Sequence, residues 1–148
     1  MRSFRSRAFS LVEILIVVLI IGILAAIVIP QFSNATANTR DTSVATTLPY
    51  VRGQLELFKS QHGNTPPQAT AMWTLLQTAS DTTDTAVAAP TGTKFGPYFK
   101  NNPLNPWNGL TAVSTLASDT SAGWYYTAGT NAYELRIRNM DGSVNYSY

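Results

Sequence analysis

The sequence predicts an α+β fold. A long N-terminal helix, membrane-spanning in its first half and amphipathic in its second, packs on a small C-terminal antiparallel β-sheet. Three patterns carry this reading. Ile14 to Ile29 runs for sixteen residues without a polar side chain. Val44, Leu48, Val51, Leu55 and Phe58 recur at spacings of 4, 3, 4 and 3, which is one stripe along a helix. Tyr133, Leu135 and Ile137 alternate with Glu134, Arg136 and Arg138, the period of a half-buried strand.

The apolar run comes first. Counted from Phe9 to Ile29 it holds 21 residues, of which only Ser10 and Glu13 are polar. A helix of that length rises roughly 30 Å, one hydrocarbon thickness. Arg2, Arg5 and Arg7 precede it and the next arginine is Arg40, so the positive-inside rule places the N-terminus in the cytoplasm. Beyond residue 8 the chain carries seven basic residues against eight acidic ones. The basic isoelectric point therefore belongs to the leader and marks no surface for nucleic acid.

Glu13 decides between readings of this segment. A secretory signal peptide could end at Ala35-Thr36-Ala37, but the apolar run is longer than the usual stretch of about 7–15 residues. A plain single-pass anchor leaves Glu13 unexplained, since a carboxylate in the bilayer costs roughly 2.5–3.5 kcal/mol and normally has a partner.

Arg7-Ala8-Phe9-Ser10-Leu11-Val12-Glu13, followed by the apolar run, resembles the class III leader of type IV pilins and type II secretion pseudopilins. The resemblance implies a leader over residues 1–8, a polymerisation helix over 9–30 and a periplasmic pilin-like domain over 31–148. It implies that a prepilin peptidase cuts between Ala8 and Phe9 and methylates the Phe9 amine. Ala8 stands where the family prefers glycine. Glu13 then becomes the fifth residue, facing the Phe9 amine of a neighbouring subunit, and the two opposite charges neutralise each other in low dielectric. Gly22 and Pro30 also match family positions.

Pro30 should kink the helix without ending it. Pro49 and Gly53 interrupt the amphipathic half, so a second bend or a short break is expected near Leu48. His62-Gly63-Asn64, with Pro66 and Pro67 beyond, is a helix stop. A short helix is expected from about Ala69 to Ala79, then a surface loop from Ser80 to Lys94. The segment from Phe95 to Gly109 holds three prolines and four large aromatic residues. It reads as an irregular loop pinned to the core by Tyr98, Phe99 and Trp107.

Leu55-Glu56-Leu57-Phe58-Lys59, Gly96-Pro97-Tyr98 and Pro106-Trp107-Asn108-Gly109 look like the major, G-type pseudopilin of type II secretion, with Asn105 where that family usually has aspartate. Strands are expected at Thr111 to Leu116, Trp124 to Thr127, Tyr133 to Arg138 and Val144 to Tyr148. The second and third should be joined by a turn at Ala128 to Asn131, the third and fourth by one at Asp141-Gly142. Leu135 and Ile137 should lie on the helical stripe, with Arg136 and Arg138 toward solvent. The G-type family commonly ends in an aspartate-bearing loop that binds calcium. Only Asp119 and Asp141 lie near this end, against the six to eight oxygens calcium takes, so no metal or cofactor is expected and calcium stays an open alternative.

The sequence holds no cysteine and a single histidine, His62. Disulfides, thiolate metal sites and cysteine nucleophiles are excluded. His62, at a helix end, reads as a residue that meets carbonyls or solvent. The acidic residues are dispersed and no phosphate-binding glycine loop occurs, so no enzyme is expected. The expected role is a structural subunit of a pseudopilus in protein secretion. Its partners would be further copies, minor pseudopilins, the prepilin peptidase and an inner-membrane assembly platform. A type IV pilus pilin for adhesion, motility or DNA uptake is the alternative. A third reading is a membrane-tethered binding module using Tyr98, Trp107 and Trp124.

Overall fold

The computed structural model describes residues 9–85, 93–145 and 147. The chain forms two compact units, Met1–Thr39 and Arg40–Tyr148. Helix α1 (Leu11–Gln61) contributes to both.

In the first unit the large apolar side chains from Leu11 to Phe32 are all exposed. This part of α1 is long and apolar enough to cross a membrane. Pro30 sits inside the helix and does not end it, as expected.

In the second unit the stripe behaves as its spacing demands, with Val44, Leu48, Val51, Leu55 and Phe58 all buried. The break expected near Leu48 is absent, because α1 continues through Pro49. Proline there removes one donor, leaving the Ala45 carbonyl without its helical bond. Leu48 and Val51 flank it in the core and hold both turns in place. The helix ends as the sequence signals. Gly63 takes φ +62°, and the Asn64 N–H donates to the Lys59 carbonyl at 2.9 Å. This is a glycine-terminated cap that satisfies a last-turn carbonyl.

A 3₁₀ turn (Ala69–Ala71) leads into α2 (Met72–Gln77), which buries Met72, Leu75 and Leu76. The expected loop from Ser80 to Lys94 begins at a bridge between Ser80 and Phe95, and its residues 86–92 lie outside the described residues. The loop from Phe95 to Gly109 is pinned as expected. Phe99 is buried, Tyr98 and Trp107 pack against the core, and both the Tyr98 and Phe99 N–H groups donate to the Leu76 carbonyl.

Three strands follow: β1 (Val113–Ser114), β2 (Trp124–Ala128) and β3 (Tyr133–Ile137), ordered β1-β2-β3. β2 and β3 form the expected antiparallel hairpin, pairing Trp124 with Ile137 and Tyr126 with Leu135, and all four are buried. The sheet is mixed, not antiparallel throughout, since β1 runs parallel to β2. The connection 115–123 is too short for an extended parallel pair, which needs a crossover of roughly a dozen residues or more. Only two residues of the expected Thr111 to Leu116 strand therefore pair. Of the strand expected from Val144 to Tyr148, the described residues show one bridge, Arg138 to Val144, and Tyr146 and Tyr148 lie outside the described residues.

The sheet is tied to α1 by main-chain carbonyls. The Arg52 guanidinium donates to the Leu135 carbonyl at 3.0 Å, and the Tyr133 hydroxyl donates to the Arg52 carbonyl at 3.3 Å. Arg138 is expected toward solvent but is fully buried. It keeps the face of Arg136 and its strand partner Tyr125, its guanidinium carbon 6.0 Å from the Tyr125 ring, and two loops cover it there.

Candidate assembly site

The first turn of α1 gathers the residues singled out for assembly. Ser10 precedes the helix. Its hydroxyl accepts from the Val12 N–H at 3.3 Å, while the Glu13 carboxylate accepts from the Ser10 N–H at 3.4 Å. This reciprocal pair is a capping box, in which two donors of the first turn find side-chain oxygens. The Ser10-Leu11-Val12-Glu13 spacing is its sequence signature, and it gives Glu13 a local role that the resemblance does not mention. Glu13 also lies at the positive end of the helix dipole, which favours an anion there. Phe9 lies next to this turn and is 77% exposed. Ala8, the residue before the expected cut, and the leader arginines lie outside the described residues.

The first turn thus brings an anion, one residue of a prospective new N-terminus and a continuous apolar surface into one short segment. A free amine at Phe9 would be a cation at neutral pH. An apolar helix with one anion and one cation at its end can shed lipid for protein only if both charges are paired.

In the second unit, His62 is buried where solvent contact was one expectation. Its Nδ1 donates to the Phe58 carbonyl at 2.7 Å, its Nε2 lies 3.0 Å from the Ser80 hydroxyl, and its ring stacks on Phe58. Both nitrogens are committed within the fold. Trp124 is fully buried, and its indole N–H donates to the Pro103 carbonyl. The Tyr98 hydroxyl donates to Gln61 at 2.6 Å. These rings serve the core and do not form the exposed aromatic platform that a tethered binding module needs.

Two residues that the sequence reading missed organise the far end of the fold. The fully buried Asn105 donates through Nδ2 to the Gly123 and Arg138 carbonyls, while its Oδ1 accepts from the Trp107 N–H. Arg138 donates through Nη1 to the Ala117 carbonyl at 3.1 Å and the Gly142 carbonyl at 2.8 Å, and through Nη2 to Leu116. The nearby acids are engaged locally. Asp119 Oδ1 accepts from the Ser121 hydroxyl at 2.6 Å and the Ser121 N–H at 3.0 Å. The Ser121 hydroxyl, with help from Ser114 and the Ser121 N–H, holds the Asp119 carboxyl down at about 2. Asp141 Oδ1 repeats the pattern with Ser143, whose hydroxyl holds that carboxyl below its usual range. Among the described residues, no three of the His, Cys, Asp and Glu side chains cluster to hold a metal ion. Two aspartates already closed on their own serines, with the loop carbonyls turned to an arginine, do not fit a calcium ion.

The prokaryotic N-terminal methylation motif matches residues 3–29. The chain is 27% identical over 105 residues to the type II secretion system core protein G of Klebsiella pneumoniae, covering 70% of each chain. The protein of that name from Pseudomonas aeruginosa is 26% identical over 107 residues, covering 72% of each. A fimbrial protein of Pseudomonas aeruginosa is 58% identical, but over only 36 residues, 24% of this chain and 23% of that one. No solved structure matches the chain. A match of 105 residues cannot fit within the first unit and must extend well into the second. The chain thus carries the N-terminal methylation motif, and much of its second unit is similar to the type II secretion system core proteins G.

Proposed function

We propose that the chain is the structural subunit of a pseudopilus that works in type II protein secretion and is not an enzyme. The prepilin form inserts with its N-terminus in the cytoplasm and its outer domain in the periplasm. A prepilin peptidase cuts between Ala8 and Phe9 and methylates the new amine. Glu13 then pairs with the Phe9 amine of a neighbouring copy, and the apolar surface of α1 passes from lipid to the filament interior. The partners are further copies, minor pseudopilins and an inner-membrane assembly platform. The chemistry of this step is electrostatic and hydrophobic, and no side chain need react once the leader is removed.

The observation that carries this reading is the extent of the similarity. The core proteins G are matched over 105 and 107 residues, the fimbrial protein over only 36. The pilus alternative rests on short matches of this kind. Deleting the gene in its own host tests the choice. Loss of type II cargo from the medium, restored by the wild-type gene, is expected. Normal secretion with lost twitching or DNA uptake would assign the subunit to a pilus instead.

A further inference from the structure

Arg138 is a full positive charge with no exposed surface. A buried charge needs compensation, and here the partners of its terminal nitrogens are all main-chain carbonyls: Leu116, Ala117 and Gly142. They come from two separate loops, the connection between β1 and β2 and the turn that follows β3. Asp119 lies close enough for the guanidinium charge to favour its ionised form, and the Tyr125 ring lies 6.0 Å from the guanidinium carbon.

The loops themselves are in close contact. Gly142 takes φ +81°, and a Cβ there would lie 2.6 Å from the Thr120 Cα. The Asn139 N–H donates to the Ser143 carbonyl and the Gly142 N–H to that of Asn139, closing the second loop on itself. Converging carbonyl oxygens beside a carboxylate are the ligand set of a hard cation. In this chain that position is taken by a side chain of the fold. A calcium ion would have to displace the guanidinium from its carbonyls, and the two cations would repel at short range.

We propose that Arg138 is the resident cation of these two loops, so that the outer domain holds its C-terminal fold without calcium. The inference rests on the loop geometry and stands whether the filament serves secretion or a pilus.

The full chain in detergent micelles tests it. Thermal unfolding followed by circular dichroism should give one Tm in millimolar calcium and in excess EGTA, and calorimetric titration with calcium chloride should show no saturable heat. A calcium-raised Tm or a saturable site would overturn the proposal. Amide hydrogen exchange supplies the second arm. In Arg138→Gln, residues 114–121 and 139–145 should exchange at least about tenfold faster than in the parent, with Arg138→Lys in between. Unchanged exchange in Arg138→Gln would also overturn it. Should Arg138→Gln fail to fold, the Lys variant and the calcium arm on the parent chain decide.

Discussion

The Asn105 side-chain amide donates 2.7 Å to the main-chain carbonyl of Arg138. The same nitrogen donates to the Gly123 carbonyl at 2.8 Å, so this position is built for a donor. Aspartate, usual here in the G-type family, is nearly isosteric but would aim a carboxylate oxygen at two carbonyls in a site without solvent. Asn105→Asp should therefore destabilise by more than about 3 kcal/mol at neutral pH. The loss should shrink in acid. A carboxyl held neutral in the fold binds its proton more readily there than in the unfolded chain, so stability of the variant rises as pH falls. Denaturant unfolding of parent and variant across pH checks this, and equal midpoints at neutral pH would contradict the assignment.

Acid should weaken the parent through Asp119 and Asp141. Both carboxyls are held below their usual range by serine hydroxyls, Asp119 from 3.8 to about 2. A depressed carboxyl stabilises the fold above its unfolded value, and that contribution is lost as pH falls toward the folded one. For Asp119 the window lies between about 4 and about 2. Thermal melts across that window should show a falling Tm in the parent. Asp119→Asn should show a shallower fall, and identical slopes would remove Asp119 from the account.

The helix-to-sheet core gives a contrast within one strand. Leu55 and Ile137 are fully buried, whereas Arg136 is partly exposed and paired with Glu134. Leu55→Ala and Ile137→Ala should each cost about 2–5 kcal/mol. Arg136→Ala should cost less than about 1 kcal/mol, the scale of an exposed ion pair. Equal losses at Ile137 and Arg136, measured by chemical denaturation, would mean that the facing of β3 is wrong.

Periodicity made much of this fold legible. The Val44 to Phe58 stripe and the Tyr133 to Ile137 alternation each name one buried face, and burial of those faces is what the structure supplies. Local rules also sufficed at Gly63, where a helix end needs a residue free to take positive φ. They failed at Pro49, where burial of Leu48 and Val51 outweighed a lost hydrogen bond. They failed again at β1, whose parallel pairing depends on where the chain returns. Asn105 and Arg138 were illegible for a related reason. Their partners are main-chain carbonyls of distant segments, and any sequence has carbonyls. Ser10 was legible in principle, since the capping box is a local pattern, but the resemblance drew attention to Glu13 alone.

The capping box makes the choice of Glu13 variant decisive. Glutamine can keep the bond from the Ser10 N–H while removing the charge, whereas leucine removes both. If Glu13 acts by pairing with an amine, Glu13→Gln and Glu13→Leu should both lower filament assembly sharply, scored by the yield of sheared filaments. If it acts only as a cap, Glu13→Gln should assemble like the parent.

Assembly depends first on the chemistry of the N-terminus, and intact-mass spectrometry of the mature chain from its host membrane reads that directly. The predicted species begins at Phe9, lacks residues 1–8 and carries one methyl group on the Phe9 amine. A chain retaining Met1 to Ala8, or one beginning at Asn38 after the Ala35-Thr36-Ala37 site, would contradict it.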